Sequence, residues 1–227
     1  FKSFELDKSK LTKFKLFVIY GENEGLKQEI INKIKGSKTG KEIKYEETQI
    51  LKNKSEFNNE IKNKSLFEEN RIFLLERCSD KISELIIEIC ENIKDDSVII
   101  NCGILEKKSR FRSYLEKSNN AVIIPTYKDN SQSLVNIAKK YFDERKISIS
   151  YETLNLLANR SNGDRGYLNQ ELEKISNYTS NGKVISLKEI NVLTNLSENY
   201  TAAELVDASL SGNTVSYTHL TLPTTSS

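Results

Sequence analysis

Four short, unbroken apolar runs punctuate an otherwise polar chain: Leu16-Phe-Val-Ile-Tyr20, Ile72-Phe-Leu-Leu75, Val98-Ile-Ile100 and Ala121-Val-Ile-Ile124. A strand with one wet face alternates apolar and polar side chains, so a run without alternation asks for cover on both faces. Between the runs the apolar residues recur at helical spacing. Leu26, Ile30, Ile31 and Ile34 form one stripe, and Ile82, Leu85, Ile86 and Ile89 another. Phe57 and Ile61 mark a helix predicted to be capped by Ser55, and Phe111, Tyr114 and Leu115 face inward from a basic helix over 107–117. Residues 41–50 read as extended, with Ile43 and Tyr45 alternating. This order of elements predicts an α/β fold: a parallel sheet with flanking helices.

After Pro125, which is read as the stop of the last strand, only helical patterns follow. Leu134, Ile137, Ala138, Tyr141 and Phe142 define one helix, and Leu154, Leu156 and Leu157 the next. Leu168, Leu172, Ile175 and Tyr178 define a third, Ser186 caps a fourth carrying Ile190 and Leu193, and a further helix starts over 201–210. The predicted domains are an α/β domain over 1–127, a small all-helical domain over 128–195 and the start of a third unit over 196–214. From Val215 the composition changes: no Lys, Glu, Asp or Asn follows, yet His219, the one histidine, and Pro223, one of 2 prolines, lie there. This tail resembles the translation of a transposase adaptor used in sequencing-library preparation. Residues 215–227 are therefore read as an adaptor-derived scar on a truncated protein.

Composition narrows the function. Charged residues are 29% of the chain but balance to a net +2, which argues against a surface coated in positive charge for nucleic acid. Cys78, Cys90 and Cys102 form no Cys-x-x-Cys pair and sit in or beside apolar runs, as buried, reduced cysteines do. No apolar run approaches the ~18–20 residues that span a membrane, and the N-terminus lacks a signal-peptide pattern. The expectation is a cytoplasmic protein with no membrane partner.

Catalytic chemistry finds little support. The strand–turn–helix at Gly21-Glu-Asn-Glu-Gly25-Leu-Lys27 has the outline of a phosphate-binding loop but lacks its Gly-Lys-Ser/Thr ending, and its two glutamates would repel phosphates. The string Gly36-Ser-Lys-Thr-Gly40-Lys41-Glu42 is one residue short, ends in Glu and follows a helix. The acidic pairs Glu46-Glu47, Glu68-Glu69 and Asp95-Asp96 read as solvated faces. With His219 set aside, no catalytic triad, metal-ligand spacing or cofactor site is expected. Lys107, Lys108, Arg110 and Arg112 could meet phosphates or form a solvated helix face.

Leu66 and Phe67 stand in the polar string Asn63-Lys-Ser-Leu-Phe-Glu-Glu-Asn70. On a continuing helix they would point roughly 160° and 100° from the Phe57/Ile61 face, as an exposed interface anchor would. Alternatively Ser65 and Glu68 form a capping box and the pair tucks inward.

The chain resembles the delta subunit of the bacterial DNA polymerase III clamp loader over about 14–213. The likeness rests on the Leu16 to Glu29 segment, on Lys64-Ser-Leu-Phe67 before Arg71-Ile-Phe-Leu-Leu75, and on Leu105-Glu-Lys-Lys-Ser-Arg-Phe-Arg112. It continues through Tyr141-Phe-Asp-Glu-Arg145, the Asn162 to Lys174 segment beginning Asn-Gly-Asp-Arg-Gly, and Leu205-Val-Asp-Ala208. The resemblance implies an AAA+-like α/β domain, a helical lid and a helical collar that assembles into a hetero-pentamer, the collar here reduced to a stump. It implies a non-hydrolysing component of a DNA-directed DNA polymerase holoenzyme that binds and opens the sliding clamp for loading onto primed DNA. Leu66 and Phe67 fall where the family inserts its clamp-binding Leu and Phe. Arg165 falls where active relatives place a lid arginine on nucleotide; with a degenerate turn, a structural role beside Gly163, Asp164 and Gly166 is expected. The alternatives are a P-loop-type ATPase with an atypical loop and a generic α/β protein-interaction domain of receiver type.

Overall fold

The computed structural model describes residues 8–62, 70–93, 95–179 and positions 185, 189, 190 and 193. The chain divides into two compact units, Phe1–Asp129 with Gly163–Gly166, and Asn130–Asn162 with Tyr167–Ser227.

The first unit is built on five parallel strands, β1 (Leu16–Gly21), β2 (Lys41–Glu46), β3 (Arg71–Cys78), β4 (Ser97–Cys102) and β5 (Ala121–Thr126), ordered β2-β3-β4-β1-β5. Its helices are α1 (Lys8–Lys13), α2 (Glu24–Gly36), α3 (Glu47–Lys52), α4 (Lys54–Lys62), α5 (Ser83–Asn92) and α6 (Arg110–Lys117). Successive strand side chains point to opposite faces, and here both faces are apolar. Leu16, Val18 and Tyr20 join Phe73, Leu75, Val98 and Ile100 on the face covered by Ile50 of α3, Phe57 and Ile61 of α4, α5, and Phe111 and Leu115 of α6. Phe17, Ile19, Leu74, Ile99 and Ile124 pack on the other face against Leu26, Ile30, Ile31 and Ile34 of α2 and Leu11 of α1. At about 1.5–3 kcal/mol per fully buried large apolar side chain, this two-sided core dominates the stabilisation.

Several boundaries differ from the sequence expectation. The extended segment expected over 41–50 stops at Glu46, and α3 begins, because the Gln49 side chain accepts from the Glu46 N–H at 2.9 Å and Ile50 is buried as a helical residue. Pro125 does not stop β5; it pairs in register with Tyr20, tolerated because β5 is an edge strand that needs no donor on its outer side. β3 runs past Glu76 to Cys78 through an irregularity at which Arg77 takes φ 56°. Ser55 is not a cap: α4 starts at Lys54, and the Phe57 N–H reaches the Asn53 carbonyl. The basic helix starts at Arg110, capped by Ser109, which leaves Lys107 and Lys108 in an exposed turn before it.

Two acidic pairs are not wholly solvated faces. Glu47 is buried and accepts from both the backbone N–H and the hydroxyl of Ser79. Asp96 is buried in a two-pronged ion pair with Arg71, with N–O distances of 3.1 and 2.7 Å. Glu68 and Glu69 lie outside the described residues. All three cysteines are buried free thiols.

The second unit is helical in its described residues. Helices α7 (Ser131–Glu144), α8 (Tyr151–Arg160) and α9 (Arg165–Thr179) supply Leu134, Phe142, Leu154, Leu157, Leu168, Leu172 and Ile175 to one core, joined by Ile190. Asn130 and Ser150 cap α7 and α8 by accepting from Ser133 and Thr153. The expected Ser186 cap, the helix over 201–210 and the tail over 215–227 lie outside the described residues. No helix among the described residues is long and apolar enough to cross a membrane.

Candidate functional site

Where β1 meets α2, the backbone makes the strand–turn–helix that the sequence predicts. Gly21 is required there: with φ 138°, a Cβ would lie 2.2 Å from the Thr126 carbonyl oxygen, which accepts from the N–H groups of Glu22 and Asn23. The first N–H groups of α2 would be free to receive an anion, helped by the positive end of the helix dipole. They are taken by the chain itself. Asp164 Oδ2 accepts from the Glu24 N–H at 2.8 Å and Oδ1 from the Gly25 N–H at 3.3 Å.

The same carboxylate caps its own helix, since Oδ1 also accepts from Gly166 N–H in the first turn of α9. Asn23 reciprocates: its Oδ1 accepts from Leu26 in α2 at 3.0 Å and from Arg165 in α9 at 3.1 Å. Its Nδ2 donates to the carbonyls of Tyr127 and Gly163 and to Asp129 Oδ2. Two helix starts thus share two capping side chains. Glycine makes this approach feasible, because a Cβ on Gly25 would stand 1.9 Å from the Gly166 nitrogen.

Arg165 closes the network. Its Nε and Nη2 meet both oxygens of Asp129 at 2.7 and 3.0 Å, and its Nη1 meets Glu29 at 2.8 Å. The hydrogen bonds that Arg165 donates to Asp129 lead the effects that hold its pKa above the ordinary arginine value. The arginine expected to be structural is therefore committed to two carboxylates.

Lys27 is equally committed. It is 1% exposed, and its Nζ donates to the Cys102 carbonyl at 2.7 Å and to Glu24 at 2.8 Å. Glu24, expected to repel phosphates, is thereby paired. A triphosphate needs free helix N–H groups, a reaching lysine and space at the turn. These residues do not fit one, because a carboxylate, a carbonyl and the Gly166 backbone occupy those positions. The string from Gly36 to Glu42 joins α2 to β2, with Ser37 capping α2 and Lys38 donating to the Thr12 and Phe14 carbonyls. Among the described residues, no group of three or more His, Cys, Asp or Glu is placed to hold a metal.

Leu66 and Phe67 lie outside the described residues, in the connection between α4 and β3. Of the basic stretch, Lys107, Lys108 and Arg110 are exposed, whereas Arg112 pairs with Glu116 and stacks 5.0 Å from the Tyr20 ring centroid. Sequence reasoning missed Asn23, Glu29 and Asp129 as partners. An Asn directly before the acidic first turn of α2 is a cap signal, but nothing local joins position 23 to position 164.

The five-stranded parallel sheet with its flanking helices is an α/β fold of the AAA+-like type. Among solved structures, the chain is similar to the Bacillus subtilis DNA clamp loader delta protein YqeN, at 14% identity and a TM-score of 0.53, covering 92% of this chain and 67% of that one. It is also similar to the Thermotoga maritima RuvB Holliday junction branch migration motor, at 11% identity and a TM-score of 0.58, over 91% and 72% of the two chains. These likenesses are of fold. No family model and no curated protein sequence matches the chain.

Proposed function

We propose that this chain is a clamp-loader subunit of the delta type, which uses an AAA+-like scaffold to bind and open a sliding clamp without hydrolysing ATP. The observation that carries the reading is the Asp164 carboxylate on the first N–H groups of α2, where a nucleotide-binding relative would need them free. The fold shared with a clamp loader delta protein supports the assignment.

In this reading Leu66 and Phe67 form the wedge that enters a hydrophobic pocket on the clamp. Partner ATPase subunits of the hetero-pentamer supply the nucleotide-dependent step, and primed DNA enters the assembled complex. The action on the clamp is differential binding. The wedge shifts the clamp toward an open interface only by as much as it prefers that state.

Titrating the cognate sliding clamp with the wild-type chain and with Leu66→Ala/Phe67→Ala tests the proposal. Losing a hot-spot anchor costs at least about 2 kcal/mol, or some thirtyfold in Kd. Equal affinity for both chains removes the assignment. A parallel titration with ATP and Mg²⁺ should give no binding, and saturable nucleotide binding would favour an ATPase instead.

A further inference from the structure

At the edge of the first unit where β1 and β5 begin lies a cavity of about 260 Å³, just below the ~300–1,000 Å³ usual for small-molecule sites. Phe14, Leu16, Cys90 and Ile93 supply its apolar wall, and Lys13, Lys15, Asn119 and Asn120 its polar one. No acidic side chain lines it among the described residues. Neither lysine meets a carboxylate among the described residues, whereas Lys27, Lys35, Lys62, Arg71, Arg112 and Arg165 each have one. Lys13 Nζ instead lies 5.6 Å from the Phe14 ring centroid, in the cavity wall. The uncompensated field reaches a neighbour: burial first, and then the charge of Lys15, hold the Lys38 pKa below its ordinary value.

We infer that this cavity is a binding site for a small organic oxyanion, an aryl or alkyl phosphate whose charge lies between Lys13 and Lys15. The Asn119 and Asn120 amides donate to its oxygens and its apolar body rests on Phe14, Leu16 and Ile93. Lysines act on phosphate as point charges, and amides add direction. Desolvating the apolar body makes the whole ligand bind better than either half. The site lies at the opposite end of β1 from the Asn23/Asp164 network, so it stands or falls independently of the clamp-loader reading.

Phenyl phosphate is the probe, with inorganic phosphate and phenol as its two halves, titrated calorimetrically and by amide chemical shifts into the full chain. Phenyl phosphate is expected to bind at least about tenfold more tightly than either half and to shift the amides of Asn119 and Asn120. Lys13→Gln/Lys15→Gln should weaken it by at least about tenfold, while Lys13→Arg/Lys15→Arg keeps the charge and most of the affinity. Lys107→Gln/Lys108→Gln, which removes the same charge elsewhere, should leave binding unchanged. The lysines are on the surface, so all three variants are expected to fold, and the arginine pair controls for those positions. Absence of binding, shifts confined to other residues, or equal loss in the Lys107/Lys108 variant overturns the assignment.

Discussion

Asn23 and Asp164 cap each other's helices: the Asn23 amide oxygen accepts from Arg165 N–H, and the Asp164 carboxylate from Glu24 and Gly25 N–H. Each also caps its own helix. Two converging helix N-termini place positive dipole ends together, which is unfavourable unless negative charge lies between them. Asp164 and Asp129 supply that charge, and Arg165 pairs with Asp129 and with Glu29 further along α2.

Asp164→Ala removes the acceptor for three N–H groups. Caps are worth about 0.5–2 kcal/mol each, so a loss of at least about 2 kcal/mol in urea denaturation is expected, with Asp164→Asn intermediate. Because Asn23 serves the same two helices, Asn23→Ala and Asp164→Ala should combine non-additively, with a coupling of about 0.5–3 kcal/mol. Simple additivity would mean that the two caps act separately.

Gly25→Ala sets two effects against each other. Alanine in a helix is favoured over glycine by about 1 kcal/mol. The added methyl, however, would stand 1.9 Å from the Gly166 nitrogen, and that contact is backbone, which cannot swing aside. Overpacking of this kind costs about 1–3 kcal/mol, so the variant should melt below the wild type. A raised melting temperature would show that the approach of α2 and Gly166 is looser than described.

The sheet was legible because its strands are buried on both faces, so Leu16 to Tyr20 and Val98 to Ile100 are continuous apolar strings that no helix of that length would need. The edge strand β2 was half legible: Ile43 and Tyr45 alternate, but the start of α3 depends on Gln49 folding back to Glu46, and residues 46–50 carry no apolar period of their own. The departure of the Gly21–Lys27 turn from a Gly-Lys-Ser/Thr loop was legible in the residues themselves. What fills its place was not. Asp164 reads locally as an ordinary cap for α9, and its bonds to α2 arise only when the fold brings together residues about 140 positions apart.

Among the described residues of the first unit, Arg71 and Asp96 form the most deeply buried ion pair, with side chains 8% and 6% exposed. The Arg71 N–H also donates to Asp96 Oδ1, so the carboxylate ties β3 to the start of β4. Removing one partner strands the other charge in a low-dielectric setting, and Asp96→Ala should cost about 3–5 kcal/mol. Replacing both, as Arg71→Met/Asp96→Leu, should cost less than Asp96→Ala alone. A single-variant loss below about 1 kcal/mol would show that water reaches the pair.

Alkaline pH should weaken the fold from about pH 9 upward. Burial, followed by the charges of Glu47 and Glu76, pushes the Cys78 thiol from 9.0 up to about 12. Burial, followed by Cys78, also raises Cys102 well above its ordinary value. The hydrogen bond to Glu60, followed by burial, lifts Tyr45 from 10.0 to about 12. Each group is neutral when protonated, and the fold favours that form. Below the unfolded values both states hold the protons and the contribution is complete. Above them the unfolded chain binds fewer protons than the native one, so stability falls with rising pH until the folded values are passed. Denaturant midpoints should therefore hold steady through neutrality and decline between about pH 9 and 12, and Cys78→Ala/Cys102→Ala should flatten the early part of the decline. The same raised values predict that iodoacetamide at pH 8 leaves Cys78 and Cys102 unmodified until denaturant is added, because the thiolate is the reacting species. Prompt alkylation of the native protein at either position, read by mass spectrometry of its peptides, would show that the strand ends open readily to solvent.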